Sequence, residues 1–143
     1  MEQGKNTEMM VVIGPEDLEA YKSILHNVSQ INLFPLVLQE DKYTCINSET
    51  YEKGPDHLIK ILYNDNKWEY KNLRNTRDRG SLIDFIANRL HTEEVQIAKQ
   101  PADVMTAARI AQSYYSEHIK NLQDAYKLTQ KETKNSNKLK HGR

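Results

Sequence analysis

Trp68 to Leu90 reads WEYKNLRNTRDRGSLIDFIANRL, and the fold turns on how this stretch is divided. An aromatic strand leads into a basic, polar loop, Arg74 to Arg79. The loop meets Gly80, whose lack of a side chain suits an unusual backbone angle. Ser81 with Asp84 three residues on forms a capping-box pair, the signature of a helix start. Leu82, Ile83, Phe85, Ile86 and Leu90 then supply the buried side of that helix. Upstream, His57 to Tyr63 (HLIKILY) reads as a strand. Asn64-Asp65-Asn66 is turn chemistry, because Asn and Asp tolerate left-handed conformations. Lys67 to Leu73 returns as the second strand of a hairpin.

Working outward, residues 1–12 are expected to be a disordered N-terminus. Gly14-Pro15 opens a helix with Pro15 at its first position and Glu16 and Asp17 favourable to the dipole. Leu18, Tyr21, Leu25 and Val28 form its apolar stripe. Asn32 is placed to cap a second short helix, LFPLVLQ. Tyr43 to Asn47 reads as a strand and Ser48 to Asp56 as a loop. Thr92-Glu93-Glu94 is placed to start a short helix ending before Pro101. From Pro101 to Lys131 the pattern is one long helix, roughly 45 Å at 1.5 Å per residue. Met105, Ala108, Gln112, Tyr115, Ile119, Leu122 and Tyr126 recur at alternating steps of three and four, a heptad seam. Either this seam packs on the chain's own body, or part of it overhangs and binds a second copy or a partner helix. Residues 132–143 read as a disordered basic tail. The expected architecture is α+β: a small antiparallel sheet packed on helices over residues 13–100, and a long C-terminal helix over 101–131.

The chain has 143 residues and carries 20 basic and 20 acidic side chains, a formal net charge of zero. That balance argues against a protein whose whole surface binds nucleic acid. The charge is uneven, however. Lys127, Lys131, Lys134, Lys138, Lys140 and Arg143 face only Glu132 at the C-terminal end, and the 74–79 loop is basic apart from Asp78. Such patches can bind phosphates by counterion release. No apolar run approaches the ~20 residues of a membrane span, and the N-terminus lacks a signal-peptide core. A cytoplasmic protein without membrane association is the expectation.

One cysteine, Cys45, rules out an internal disulfide. The histidines His26, His57, His91, His118 and His141 show no helical pairing or Cys-x-x-Cys spacing, so no metal and no cofactor is expected. Cys45 reads as a buried apolar residue. There is no phosphate loop, dinucleotide-binding glycine motif or nucleophile elbow, and a non-enzymatic protein is expected. Asp78 and Asp84 flank Gly80 and would be the carboxylates of a hydrolase. The structural alternatives are a cap for Asp84 and an arginine ion pair for Asp78. Trp68 and Tyr70 share one face of their strand by the period of two. That face either stacks bases, with Lys71, Arg74, Arg77 and Arg79 on phosphates, or packs under the helix that begins at Ser81.

Asp56 to Leu90 also resembles a known module. A short hydrophobic strand (Leu58 to Tyr63), a turn (Asn64 to Asn66), an aromatic return strand (Trp68 to Tyr70), Gly80 and an Ile83-Asp84-Phe85 helix opening follow one another. This order is similar to that of the zinc-ribbon-type N-terminal module of bacterial and mobile-element Toprim primases, in a form without its cysteines. A helix around Ile31-Asn32-Leu33 sits where that group also has one. The resemblance implies a stand-alone relative of a template-binding or recruitment module. It carries over neither zinc, whose ligands are missing, nor primer synthesis, for which no Toprim domain is present.

The leading expectation is thus a DNA-binding or replication-recruitment module acting through Arg74, Arg77, Arg79, Lys71, Trp68 and Tyr70. The alternative is an adaptor, inhibitor or homodimer acting through Met105, Tyr115, Ile119, Leu122 and Tyr126.

Overall fold

The structure, a computed structural model, describes residues 14–91, 95–97 and 100–141, with side chains up to Lys131. The readings of residues 1–12 and of the helix start at Thr92 to Glu94 fall outside the described residues, while Val95 to Ile97, within the short helix expected to follow, are not helical. Helices α1 (Pro15–Gln30) and α2 (Phe34–Glu40) precede five strands, β1 (Thr44–Asn47), β2 (Thr50–Lys53), β3 (His57–Asn64), β4 (Lys67–Asn72) and β5 (Asn75–Gly80). Helices α3 (Leu82–Ala87) and α4 (Pro101–His141) follow. The strands form one antiparallel meander in the order β1-β2-β3-β4-β5. The α+β class holds.

Two segments read as loops are strands. Ser48 to Asp56 contains β2, and Arg74 to Arg79 lies almost wholly in β5. Both are short, and β5 contains no apolar side chain, so neither shows the alternation by which strands are recognised. Helix α4 continues beyond Lys131 to His141, where a disordered tail was expected.

Local chemistry sets the hairpin. Asp65 and Asn66 adopt positive φ of 53° and 62°, the pair of left-handed residues that closes a two-residue turn matched to strand twist. The turn fixes the β3–β4 register from Asn64 opposite Lys67 to Ile59 opposite Asn72. Asn32 accepts a hydrogen bond from the Phe34 amide at 3.3 Å at the start of α2, and Asp17 accepts one from the Gly14 amide at 3.3 Å at the start of α1.

The core lies between the inner sheet face and the helices. Ile59 and Ile61 of β3, Tyr70 of β4, Leu33, Phe34 and Leu38, and Leu82, Ile83 and Phe85 are buried in it. The Phe85 ring meets those of Tyr70 and Phe34 edge-on, with centroids 5.0 Å and 6.2 Å away. Ala107, Ala108 and Ala111 of α4 are fully buried, small residues that bring the helix close to α1 and α3.

The β5–α3 junction is built around one glycine. The Ser81 amide donates to Asp84 Oδ2 at 2.8 Å, and the Asp84 amide donates back to Ser81 Oγ at 3.3 Å. Gly80 has φ 134°, and a Cβ there would lie 2.2 Å from that same Asp84 oxygen. Gly80→Ala therefore strains the backbone and displaces the cap together, at an expected cost of about 2–3 kcal/mol. In an Asp84→Ala background the carboxyl is gone and only the tight 3.0 Å approach to its Cβ remains, so denaturant titration of the double-mutant cycle should show a smaller cost.

Candidate nucleic-acid interface

The sheet's two faces are assigned by a single buried carboxylate. Asp78 in β5 is fully buried. Its oxygens are held bidentately by Arg89, with Nη2 to Oδ2 at 2.6 Å and Nη1 to Oδ1 at 3.1 Å. The Tyr70 hydroxyl donates a short hydrogen bond to Oδ1, Asn88 Nδ2 reaches the same oxygen at 3.2 Å, and Asn72 Nδ2 donates to Oδ2 at 3.1 Å. Arg89 also donates from Nε to the Tyr43 hydroxyl at 3.0 Å and lies over the Phe85 ring at 3.8 Å. Burial by itself pushes the Asp78 pKa up. The Arg89 hydrogen bonds and charge, with those from Tyr70 and Asn72, outweigh it, and the carboxyl is held below its ordinary range. Burial and the adjacent Asp78 charge raise the Tyr70 phenol well above its usual value, so it stays a donor. No buried side-chain nitrogen or oxygen among the described residues lacks a partner. The cluster is a closed structural network. Asp78 pairs with a distant arginine rather than a neighbouring one, and Asp84 is consumed by its cap.

With Asp78 inside, Arg77 and Arg79 on either side of it point outward, since alternate strand residues face opposite ways. Both are exposed. Lys71 of β4 stands directly opposite Arg79, and Lys60 of β3 directly opposite Lys71. Register thus lines up Lys60, Lys71 and Arg79 in one cross-strand row on the face that, among the described residues, no helix covers. Like charges directly opposite one another destabilise a sheet by up to about 1 kcal/mol per pair. Lys60 is partly compensated by Glu49 at 3.6 Å. Among the described residues, no ion pair is found for Lys71, Arg77 or Arg79.

The residues proposed from sequence divide accordingly. Lys71, Arg77 and Arg79 lie together on the open face. Arg74 does not join them: its Nη2 pairs with Glu52 at 2.7 Å and its Nη1 donates to the Gly54 and Pro55 carbonyls, pinning the β2–β3 turn. Tyr70 is only 1% exposed and cannot stack on a base, because Phe34, Phe85 and Asp78 surround it. Trp68 is half-buried on the same inner face, packed against the core and against Tyr63 at 4.9 Å. The aromatic and basic components therefore occupy opposite faces. The amide end of α3 is likewise no anion site, being filled by Asp84. Lys60 was missed as a site residue, although its place in the row follows from the Asp65-Asn66 turn. Cys45, expected to be buried, is exposed on the edge strand β1.

The seam of α4 also divides. Met105 and Ala108 are buried, Gln112, Tyr115 and Ile119 are half-buried, and Leu122 and Tyr126 are 53% and 65% exposed. The first half packs on the body and the second runs past it. Among the described residues no helix is long and apolar enough to cross a membrane, and no group of three His, Cys, Asp or Glu side chains is arranged to hold a metal. Comparison of the chain with family models, curated proteins and solved structures finds no match.

Removing one partner of the buried pair strands the other charge. Arg89→Met should cost about 3–5 kcal/mol in chemical denaturation. Because the folded Asp78 pKa is depressed, its contribution is present above the unfolded value near pH 4 and is lost as pH falls through the lower folded value. Wild-type stability should therefore decline as pH drops below about 4, and Asp78→Asn should flatten that decline, read from denaturation midpoints between pH 2 and 6.

Proposed function

We propose that this protein is a non-enzymatic, nucleic-acid-associated module that contacts phosphate backbone through the open face of its sheet. The observation that carries this reading is the cross-strand row Lys60, Lys71 and Arg79, flanked by Arg77, on the sheet face opposite the described helices. A flat basic row without exposed aromatics suits backbone contacts rather than base stacking. The resemblance to a cysteine-less primase ribbon supports the same reading, since its hairpin is the part of the chain that bears Lys60 and Lys71. Recruitment to a replication complex of a mobile element is the corresponding setting.

Binding of a labelled oligonucleotide should be salt-dependent and similar across sequences. Lys71→Gln with Arg79→Gln should weaken it uniformly and reduce the slope of log K against log salt by about 2, at ~0.9 per lost phosphate contact on duplex. Arg74→Gln should lower stability more than affinity. Absence of binding to single and double strands at low salt would end the proposal.

A second reading rests on the bare half of the α4 seam. Ile119, Leu122 and Tyr126 continue the core-facing stripe beyond the body, and this reading makes them a protein-interaction surface, with self-association its simplest case. Sedimentation should then show concentration-dependent mass for wild type, lost in Leu122→Asp. A monomer at every concentration would count against a homodimer.

A further inference from the structure

The projecting end of α4 carries a second charged feature, on a different side from its apolar seam. Lys120, Lys127 and Lys131 are exposed and stand one or two helical turns apart, so they share a single stripe. The sequence repeats the spacing at Lys134 and Lys138, and the helix backbone extends to His141. Only Asp124 interrupts the stripe between Lys120 and Lys131 with an opposite charge.

Every side chain from Leu122 to Lys131 is exposed, so this stretch takes no support from the body. Isolated helices of that length are marginal in water, and like charges at a spacing of four, as at Lys127 and Lys131, weaken them further. A helix with no packing and a self-repelling cationic stripe gains stability when an extended polyanion neutralises it. The charge distribution agrees. Lys127 to Arg143 holds 6 basic residues and 1 acidic, leaving 14 basic against 19 acidic for the rest of the chain, so a surplus of +5 falls in the C-terminal stretch of the sequence that begins on this helix.

We infer that the overhanging part of α4 is a second nucleic-acid contact, laying its lysine stripe along the phosphates of a duplex. This rests on the backbone-binding reading of the sheet face and adds to it a rod-shaped element. A duplex, with one charge per ~1.7 Å of axis, matches a straight lysine row better than a flexible single strand does.

The test uses the full chain and a labelled 20-base-pair DNA duplex in a salt series, with hydrogen exchange of residues 120–131 as a second readout. Two variants are compared: Lys120→Gln/Lys127→Gln/Lys131→Gln on the helix, and Lys71→Gln/Arg79→Gln on the sheet. The helix variant should bind at least tenfold more weakly in low salt, with its slope reduced by about 2–3, at ~0.9 per contact. In wild type, duplex should slow exchange across 120–131. A helix variant with unchanged affinity and slope, and no protection in wild type, overturns the inference while the sheet reading stands. A weakened helix variant with an unaffected sheet variant overturns the sheet reading and leaves the helix contact. Failure of wild type to bind duplex overturns both. If wild type instead self-associates and the helix variant does not, the stripe serves a second copy of the chain and the inference is overturned.

Discussion

The inward turn of Asp78 is the constraint on which the rest depends. A carboxylate with no exposed surface is tolerable only when its charge and lone pairs are met, and here Arg89, Tyr70, Asn72 and Asn88 meet them. Those partners come from β4 and from the residues just after α3, so the pair ties the last strand to the segment that follows α3. Asp78 also sets the phase of β5. If the pairing of Asn72 with Asn75 continued without a slip, Arg77 would stand opposite Tyr70 on the inner face. Instead Tyr70 pairs with Gly80 and Lys71 with Arg79. Between Asn72 and Lys71 the register slips by three residues, and an odd slip inverts the two faces. The slip buries the carboxylate and exposes both arginines.

How legible this was depended on how local the cause is. The β3–β4 hairpin is written in Asp65-Asn66, and a two-residue turn there makes paired positions sum to 131, which already places Lys60 against Lys71. The cap at Ser81 and Asp84 and the need for Gly80 were equally local and equally readable. The three-residue slip was not, because its driving contact joins Asp78 to Arg89 across a turn and a helix, with no periodic signal between them. Without it β5 looks like a polar loop, and Arg74 looks equivalent to Arg77 and Arg79. Only the register separates them, giving Arg74 to the turn and the other two to solvent.

The long helix shows the same limit from another side. Its heptad spacing was plain from Met105 to Tyr126, but spacing says nothing about where the body stops. That point depends on how far α1 and α3 reach along α4, a tertiary property. Beyond it one stripe of the helix is apolar and bare and another is basic. The two sides suit different ligands, so protein and nucleic-acid contacts there need not compete. Tyr63 and Trp68, by contrast, sit across the sheet from the basic row, which separates aromatic from electrostatic recognition in this fold.

The central claim is that the outer sheet face, and not the aromatic inner face, meets the polyanion. Amide and indole chemical-shift mapping of the native protein with a short duplex tests it most directly. The account predicts perturbations centred on Lys60, Lys71, Arg77 and Arg79, with the Trp68 indole unmoved. Perturbations centred on Trp68 and Tyr63, with the Lys60–Lys71–Arg79 row silent, would contradict it.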